Sequence, residues 1–330
     1  MTNALHTVQA IFLAPTFTAL HDAGVNVNRL LAAAKLHSFE IDQWNAALPL
    51  PLANTLFEEI ARTETGGRLD AAIAARYSLA NLSPWSQAIT SCPNLLTACQ
   101  LVCKTNAGLF TNNRLSLSID GATATFKDQF TTPKSLVQEW SSLFSVFILL
   151  DAFRAACGSD WLPLELDIAC TDITALVDAI DLSGVVVRAG QSENRMRFST
   201  ADLGQQFLTN TGSTMLIEPL PQTSEARIVQ LLNSLQPHYR PTQDRLASMF
   251  DMSSRSLQRR LEEEGVTFSE VMTRWRLKQS LLLLQAPHMQ INEIAERLHY
   301  STSSHFSRSF RRWTGVTPGQ YRDAAASVAA

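Results

Sequence analysis

The chain has 330 residues, 45% of them hydrophobic and 17% charged, with a net charge of −3; that length predicts two domains and the composition suits a folded globular protein. No run of about 18 uncharged apolar residues occurs, which argues against a membrane span, and the N-terminal MTNALHTVQAIFLAPTF lacks the basic start of a secretory signal. Five cysteines (Cys92, Cys99, Cys103, Cys157 and Cys170) are an odd and sparse set, which points to a reducing, cytoplasmic setting rather than a disulfide scaffold.

Residues 1–110 read as mostly helical, with apolar residues three and four apart. A helix is predicted from about Pro93 to Lys104, with Pro93 suited to a first turn. The pattern then changes to alternation in RLSLSIDGATATFKD, and Asp120-Gly121 at its centre is a strong hairpin signal. A long apolar helix follows from about Ser135 to Cys157. After it come a strand in LPLELDIAC, a short helix from about Thr171 to Ile180, and strands in GVVVRAG and NRMRFST. A helical start followed by ββαβαββ defines an α+β domain over residues 1–217. The Pro-containing residues 218–224 read as a linker.

Residues 225–330 read as all helix, roughly seven elements, and they repeat. LASMFDMSSRSLQRRLEEEGVTF begins at Leu246 and IAERLHYSTSSHFSRSFRRWTGVTP at Ile294. Leu257 and Leu261 match Phe306 and Phe310, Arg259 matches Arg308, and GVT closes both units. Between them a single apolar-striped helix is predicted from about Ser269 to Gln285. The charge is divided too: residues 1–220 carry 13 Lys and Arg against 20 Asp and Glu, whereas residues 221–330 carry 14 against 10. An acidic body joined to a basic end is the arrangement expected when one part meets a polyanion.

Each repeated unit outlines a helix-turn-helix: a short helix, a tight turn, and a second helix opened by a Ser or Thr cap. Phe306, Phe310 and Trp313 share one face and are expected to be buried, which turns Ser304, Arg308, Arg311 and Arg312 outward. In the first unit Leu257 and Leu261 mark the buried stripe, with Arg255 and Arg259 outward and Gln258 on the flank. Arg can fork onto guanine and Gln onto adenine in the major groove. Arg260, Lys278, Arg311 and Arg312 are expected at phosphates, which set register without reading sequence. Glu262, Glu263 and Glu264 would be repelled by phosphate, so that helix end is expected to tilt away from the groove.

The segment INEIAERLHYSTSSHFSRSFRRWTGVTPGQYR resembles the signature of the AraC/XylS family of transcriptional regulators. That signature is an apolar-Ala pair, a Tyr-Ser turn, Phe-x-Arg-x-Phe, Gly-x-[Ser/Thr]-Pro and a closing Tyr-Arg. The resemblance runs from near Thr242 to Arg322. It implies two helix-turn-helix units joined by a long helix and reading two successive major-groove segments of double-stranded DNA. By position it makes Arg255, Gln258 and Arg259 one base-reading set and Ser304, His305 and Arg308 the other. Two positions depart from the family: His299 stands where the turn has glycine, predicting strain or a non-helical backbone, and Ser280 stands for a small Ala. More weakly, SPWSQAITSCPNLLTACQLVCKTNAGLFTNN and the stretch from Leu162 to Thr200 resemble the arabinose-binding type of sensor domain. That implies a small-molecule effector and a homodimer formed through the N-terminal domain.

In that domain Trp85, Lys104 and Arg114 are candidate effector-binding residues, the two cations suiting an acidic effector at a pocket mouth. Cys99 and Cys103 share a helical face, but no His or further Cys joins them at ligand spacing, so no metal or cofactor is expected. No Gly-rich phosphate loop, G-x-S-x-G or H-E-x-x-H motif occurs. The expected function is a sequence-specific, non-enzymatic transcriptional regulator that engages RNA polymerase if it activates. The alternatives are an enzyme tethered to nucleic acid by the C-terminal domain and a protein-docking scaffold that never meets DNA.

Overall fold

The computed structural model describes residues 5–43, 45–63, 76, 78–82, 85–132, 134–207, 223–286 and 288–329. The chain forms two compact units, one of His6–His37 with Ala47–Pro221 and one of Met1–Leu5, Ser38–Ala46 and Gln222–Ala330. Most of the 218–224 stretch read as a linker lies outside the described residues.

The N-terminal unit combines sheets and helices. Its start is not purely helical: β1 (Thr7–Gln9) and β2 (Ala47–Pro49) pair antiparallel and are wholly buried. Three-residue strands are too short to show a period of two, so the sequence pattern missed them. Helices α1 (Ala14–Asp22), α2 (Val27–Ala33), α3 (Leu50–Ala61) and α4 (Trp85–Thr90) follow the apolar spacing. The next helix, α5 (Leu95–Leu109), starts later than Pro93 suggests and runs further. Asn94 caps it, accepting from the Thr97 amide at 3.0 Å while Thr97 answers in a capping box, so Pro93 falls outside.

The hairpin is β3 (Asn113–Asp120) and β4 (Thr123–Phe130), paired in register from Asn113–Phe130 to Asp120–Thr123. Its two-residue loop is Gly121-Ala122, and Gly121 takes the positive φ of 59° that such a turn requires. Helix α6 (Leu136–Cys157), capped by Ser135, crosses the sheet. By length and composition its Gln138–Cys157 stretch would suffice to cross a membrane, which the absence of an uncharged run did not suggest; more than half of it is buried within the unit. Then come β5 (Glu165–Asp167), α7 (Thr174–Ala179), β6 (Val186–Arg188) and β7 (Asn194–Ser199). The five-stranded sheet has the order β3-β4-β7-β5-β6, with β5 and β6 parallel and the other pairs antiparallel. Along β4 and β7 alternate residues point inward, Phe126, Met196 and Phe198 among them, and α6 lays Phe153 against Phe198 with ring centres 4.6 Å apart.

The C-terminal unit is helical, with seven helices among its described residues: α8 (Ser224–Asn233), α9 (Gln243–Met249), α10 (Ser254–Glu263), α11 (Phe268–Leu284), α12 (Ile291–Arg297), α13 (Ser303–Thr314) and α14 (Pro318–Ala329). Ser38–Ala46, expected with the N-terminal domain, packs in this unit. The Glu40 amide donates to the Ser234 carbonyl and the Gln236 amide to the Ser38 carbonyl, each at 2.8 Å, and Phe39 is 2% exposed. Backbone pairing between segments so far apart in the chain leaves no local sequence pattern.

Candidate nucleic-acid interface

The two repeated segments are built by one backbone device. Thr242 caps α9, and Ser253 caps α10 by accepting from the Ser256 amide at 3.1 Å. In the second copy Thr302 caps α13 through the His305 amide at 3.2 Å. Between the helices of each pair the chain reverses through a left-handed residue, Asp251 at φ 51° and His299 at φ 60°. Both turns close with the bonds of a Schellman motif: Met252 N–H to the Ala247 carbonyl at 3.1 Å, and Tyr300 N–H to the Ala295 carbonyl at 2.8 Å. Gly265 and Gly315, at φ 74° and 83°, end α10 and α13. The non-helical backbone expected at His299 is therefore present.

His299 occupies that position because its ring is used. It is 4% exposed, stacks on Trp275 at 5.4 Å and 10°, and its Nδ1–H donates to the Pro237 carbonyl at 3.2 Å. Burial lowers its pKa, favouring the neutral ring. Arg276 of α11 locks the same turn, donating from Nε to the Leu298 carbonyl at 3.1 Å, with its guanidinium 4.4 Å over the Tyr300 ring. Trp275 Nε1–H reaches Asn233 Oδ1 of α8 at 2.6 Å. Trp275 did not stand out in the sequence; a large aromatic within an apolar stripe was the available signal. Ser280, fully buried, turns its hydroxyl onto the Leu277 carbonyl at 2.7 Å, so it acts as a small residue with its polar group satisfied.

On this frame the buried stripes are Leu257 and Leu261 in α10 and Phe306 and Phe310 in α13. Trp313 is only half-buried, a departure from the expected stripe, because it sits in the last turn beside the exposed Gly315. Arg255, Gln258 and Arg259 are exposed on α10, and Ser304, His305 and Arg308 on α13. Arg308 makes no hydrogen bond or ion pair among the described residues. Gln258 donates to Glu262 at 2.8 Å and Arg259 lies 3.8 Å from Glu263, a surface pairing of little strength. Of the expected phosphate contacts, Lys278, Arg311 and Arg312 are exposed and Arg260 is half-buried. Glu264 serves the frame instead. Its carboxylate accepts the Ser224 and Glu225 amides at 2.6 and 3.2 Å, holding the positive N-terminus of α8.

The three effector candidates separate. Trp85 is 7% exposed and lines a cavity of the N-terminal unit, edge-on to Phe12 at 5.8 Å. Lys104 and Arg114 are exposed and do not line it. The reason is phase: the cavity face of α5 carries Leu95, Ala98, Cys99, Val102 and Asn106, which leaves Lys104 outside. On β3 the alternation that turns Asn113 and Leu115 to the cavity turns Arg114 away. Burial pushes the Cys99 thiol up to about 12 and Cys103 to about 11, far from thiolate. The described residues hold no group of His, Cys, Asp or Glu fit for a metal.

Residues 24–207 match the family model of the arabinose-binding domain at the N-terminus of AraC transcription regulators, and residues 246–324 match that of a helix-turn-helix domain. The chain is similar to the HTH-type transcriptional regulator VirS of Mycobacterium tuberculosis, at 38% identity over 126 residues, covering 38% of this chain and 34% of VirS. It is also similar to the HTH-type transcriptional regulator VqsM of Pseudomonas aeruginosa, at 30% identity over 121 residues, covering 36% and 37%. Each match spans well under two thirds of the relative's length. Among solved structures, the transcriptional regulator CdpR from Pseudomonas aeruginosa aligns over 90% of this chain and 96% of its own at 22% identity, with a TM-score of 0.39.

Proposed function

The chain belongs to the AraC family of transcription regulators, and from that premise we propose that it is a sequence-specific, effector-responsive DNA-binding regulator and not an enzyme. The pairs α9–α10 and α12–α13 act as two helix-turn-helix units, with α11 as the rod between them. Helices α10 and α13 enter two successive major-groove segments. Arg255, Gln258 and Arg259 read base edges from the first, and Ser304, His305 and Arg308 from the second. Arg260, Lys278, Arg311 and Arg312 meet phosphates and fix the register. The N-terminal unit senses a small molecule and pairs two chains; its state decides which half-sites are held together, and so whether RNA polymerase is engaged. Such a regulator works where the DNA is, in the cytoplasm.

One observation carries the reading. Two separate segments use the same cap, the same left-handed turn and the same buried stripe, and each leaves an exposed polar set at the start of its second helix. The test is selection of duplexes from a random pool by the purified full chain, followed by anisotropy titrations across salt. A recurring pair of half-sites and an affinity that falls linearly with log salt are expected. Enrichment of no sequence, or salt-independent binding, overturns it.

A further inference from the structure

The N-terminal unit holds a partly open cavity of about 110 Å³, counted as room for the centres of water-sized spheres, between α3, α4, α5, α6 and the β3–β4 hairpin. One water needs about 10–15 Å³ on that measure, so the space suits an occupant of roughly ten non-hydrogen atoms. Its walls are apolar and aromatic, Phe12, Phe57, Trp85, Phe110, Phe144 and Ile148 among them. Among the described residues no Lys, Arg or His lines it.

Its few polar groups are mostly committed to one another. Asn106 Nδ2 donates to Asn113 Oδ1 at 2.9 Å, and Asn113 Nδ2 donates to Asp128 Oδ1 at 2.6 Å. The Ser145 hydroxyl donates to Asp128 Oδ2 at 2.7 Å. Asn112 differs: it is 3% exposed and lines the cavity, and its Oδ1, packed out of reach of a water-sized sphere, accepts no hydrogen bond among the described residues. A buried acceptor without a donor is costly unless something supplies one.

We propose that this cavity binds a neutral amphiphile, an apolar body carrying a single hydrogen-bond-donor head such as a hydroxyl or primary amide, with the head at Asn112, whose amide turns to bring Oδ1 to the cavity. The assignment rests on reading the N-terminal unit as the effector-sensing part and names the class of its effector. A sugar fits poorly, because most of its hydroxyls would meet aromatic walls without partners. A carboxylate fits poorly as well. Among the described residues no cation lines the cavity, and Asp128 lies behind Asn113 and Ser145, where burial raises its pKa to about 6 and leaves it largely negative at pH 8.

The experiment is calorimetric titration of the full chain at pH 8 with 1-octanol, octanoate and L-arabinose, repeated with Asn112→Leu. Anisotropy on the selected duplex follows with each probe present. One 1-octanol per chain is expected, about tenfold or more tighter than octanoate, with no heat from arabinose. Asn112→Leu should weaken 1-octanol by about five- to tenfold, the effect of one hydrogen bond, while its circular dichroism melt reports that it folds. Arabinose binding without 1-octanol binding, no binding of 1-octanol, or equal binding of octanol and octanoate unaffected by Asn112→Leu each overturns the proposal. If 1-octanol binds as expected and no probe changes the affinity for DNA, the effector-sensing reading fails and the ligand assignment stands.

Discussion

Asp251 and His299 hold the same left-handed place in two copies of one turn, yet replacing each with glycine should have opposite effects. A residue with a Cβ at positive φ costs roughly 1–2 kcal/mol, while glycine there costs the unfolded chain's extra entropy, roughly 0.5–1 kcal/mol. Asp251 is exposed, so Asp251→Gly should stabilise the C-terminal unit by about 0.5 kcal/mol. His299→Gly gains the same relief but loses the stack on Trp275, about 0.5–1.5 kcal/mol. It also loses the bond to Pro237, about 0.5–1.5 kcal/mol, and leaves a void where a buried ring stood. The net is a loss of about 2–3 kcal/mol, or roughly 10–20 °C in the melting of a unit this size. Urea titration of the full chain, followed by tryptophan fluorescence and helical circular dichroism, measures both. A His299→Gly chain as stable as wild type would show that strain, not packing, dominates the turn, and would refute the account of why histidine stands there.

Arg308→Ala should leave the melt unchanged and weaken the selected duplex by about 1–3 kcal/mol, relaxing one base position; equal anisotropy on every duplex tested would contradict its base-reading role. Arg311→Ala should weaken all duplexes alike and reduce the slope of log affinity against log salt by about 1, so an unchanged slope removes it from the phosphate contacts. Glu264→Ala should cost about 1–2 kcal/mol in urea, because two amides at the N-terminus of α8 lose their acceptor; no change would show that water replaces the carboxylate. Asp128 is held near a pKa of about 6 by burial, above the ordinary aspartate value of 3.8. Between those values the unfolded chain releases a proton that the folded one keeps, so this group's contribution to stability falls as pH rises from about 4 to 6 and is flat above. The difference in unfolding free energy between wild type and Asp128→Asn should follow that course, by on the order of 2–3 kcal/mol; a pH-independent difference would place the carboxylate in contact with water.

What the sequence determined by itself was whatever rests on neighbours along the chain. The caps at Ser253 and Thr302, the stripes of Leu257 with Leu261 and Phe306 with Phe310, and the outward Arg255 and Arg308 all follow from a period of 3.6 and from hydrogen bonds spanning three or four residues. The β3–β4 hairpin was legible for the same reason. Tertiary structure alone decided which polar groups would be buried and what they would meet. Asp128 sits mid-strand in a polar-looking stretch, yet the pleat turns it inward beneath α6 onto Ser145. Asn112 is two residues from Arg114, but one is walled into the cavity and the other is exposed. Phe39 reads as part of the N-terminal helices and is buried with Leu235 instead. Such outcomes depend on contacts between residues tens to hundreds of positions apart, and hydrophobic burial has no direction along the chain to mark them.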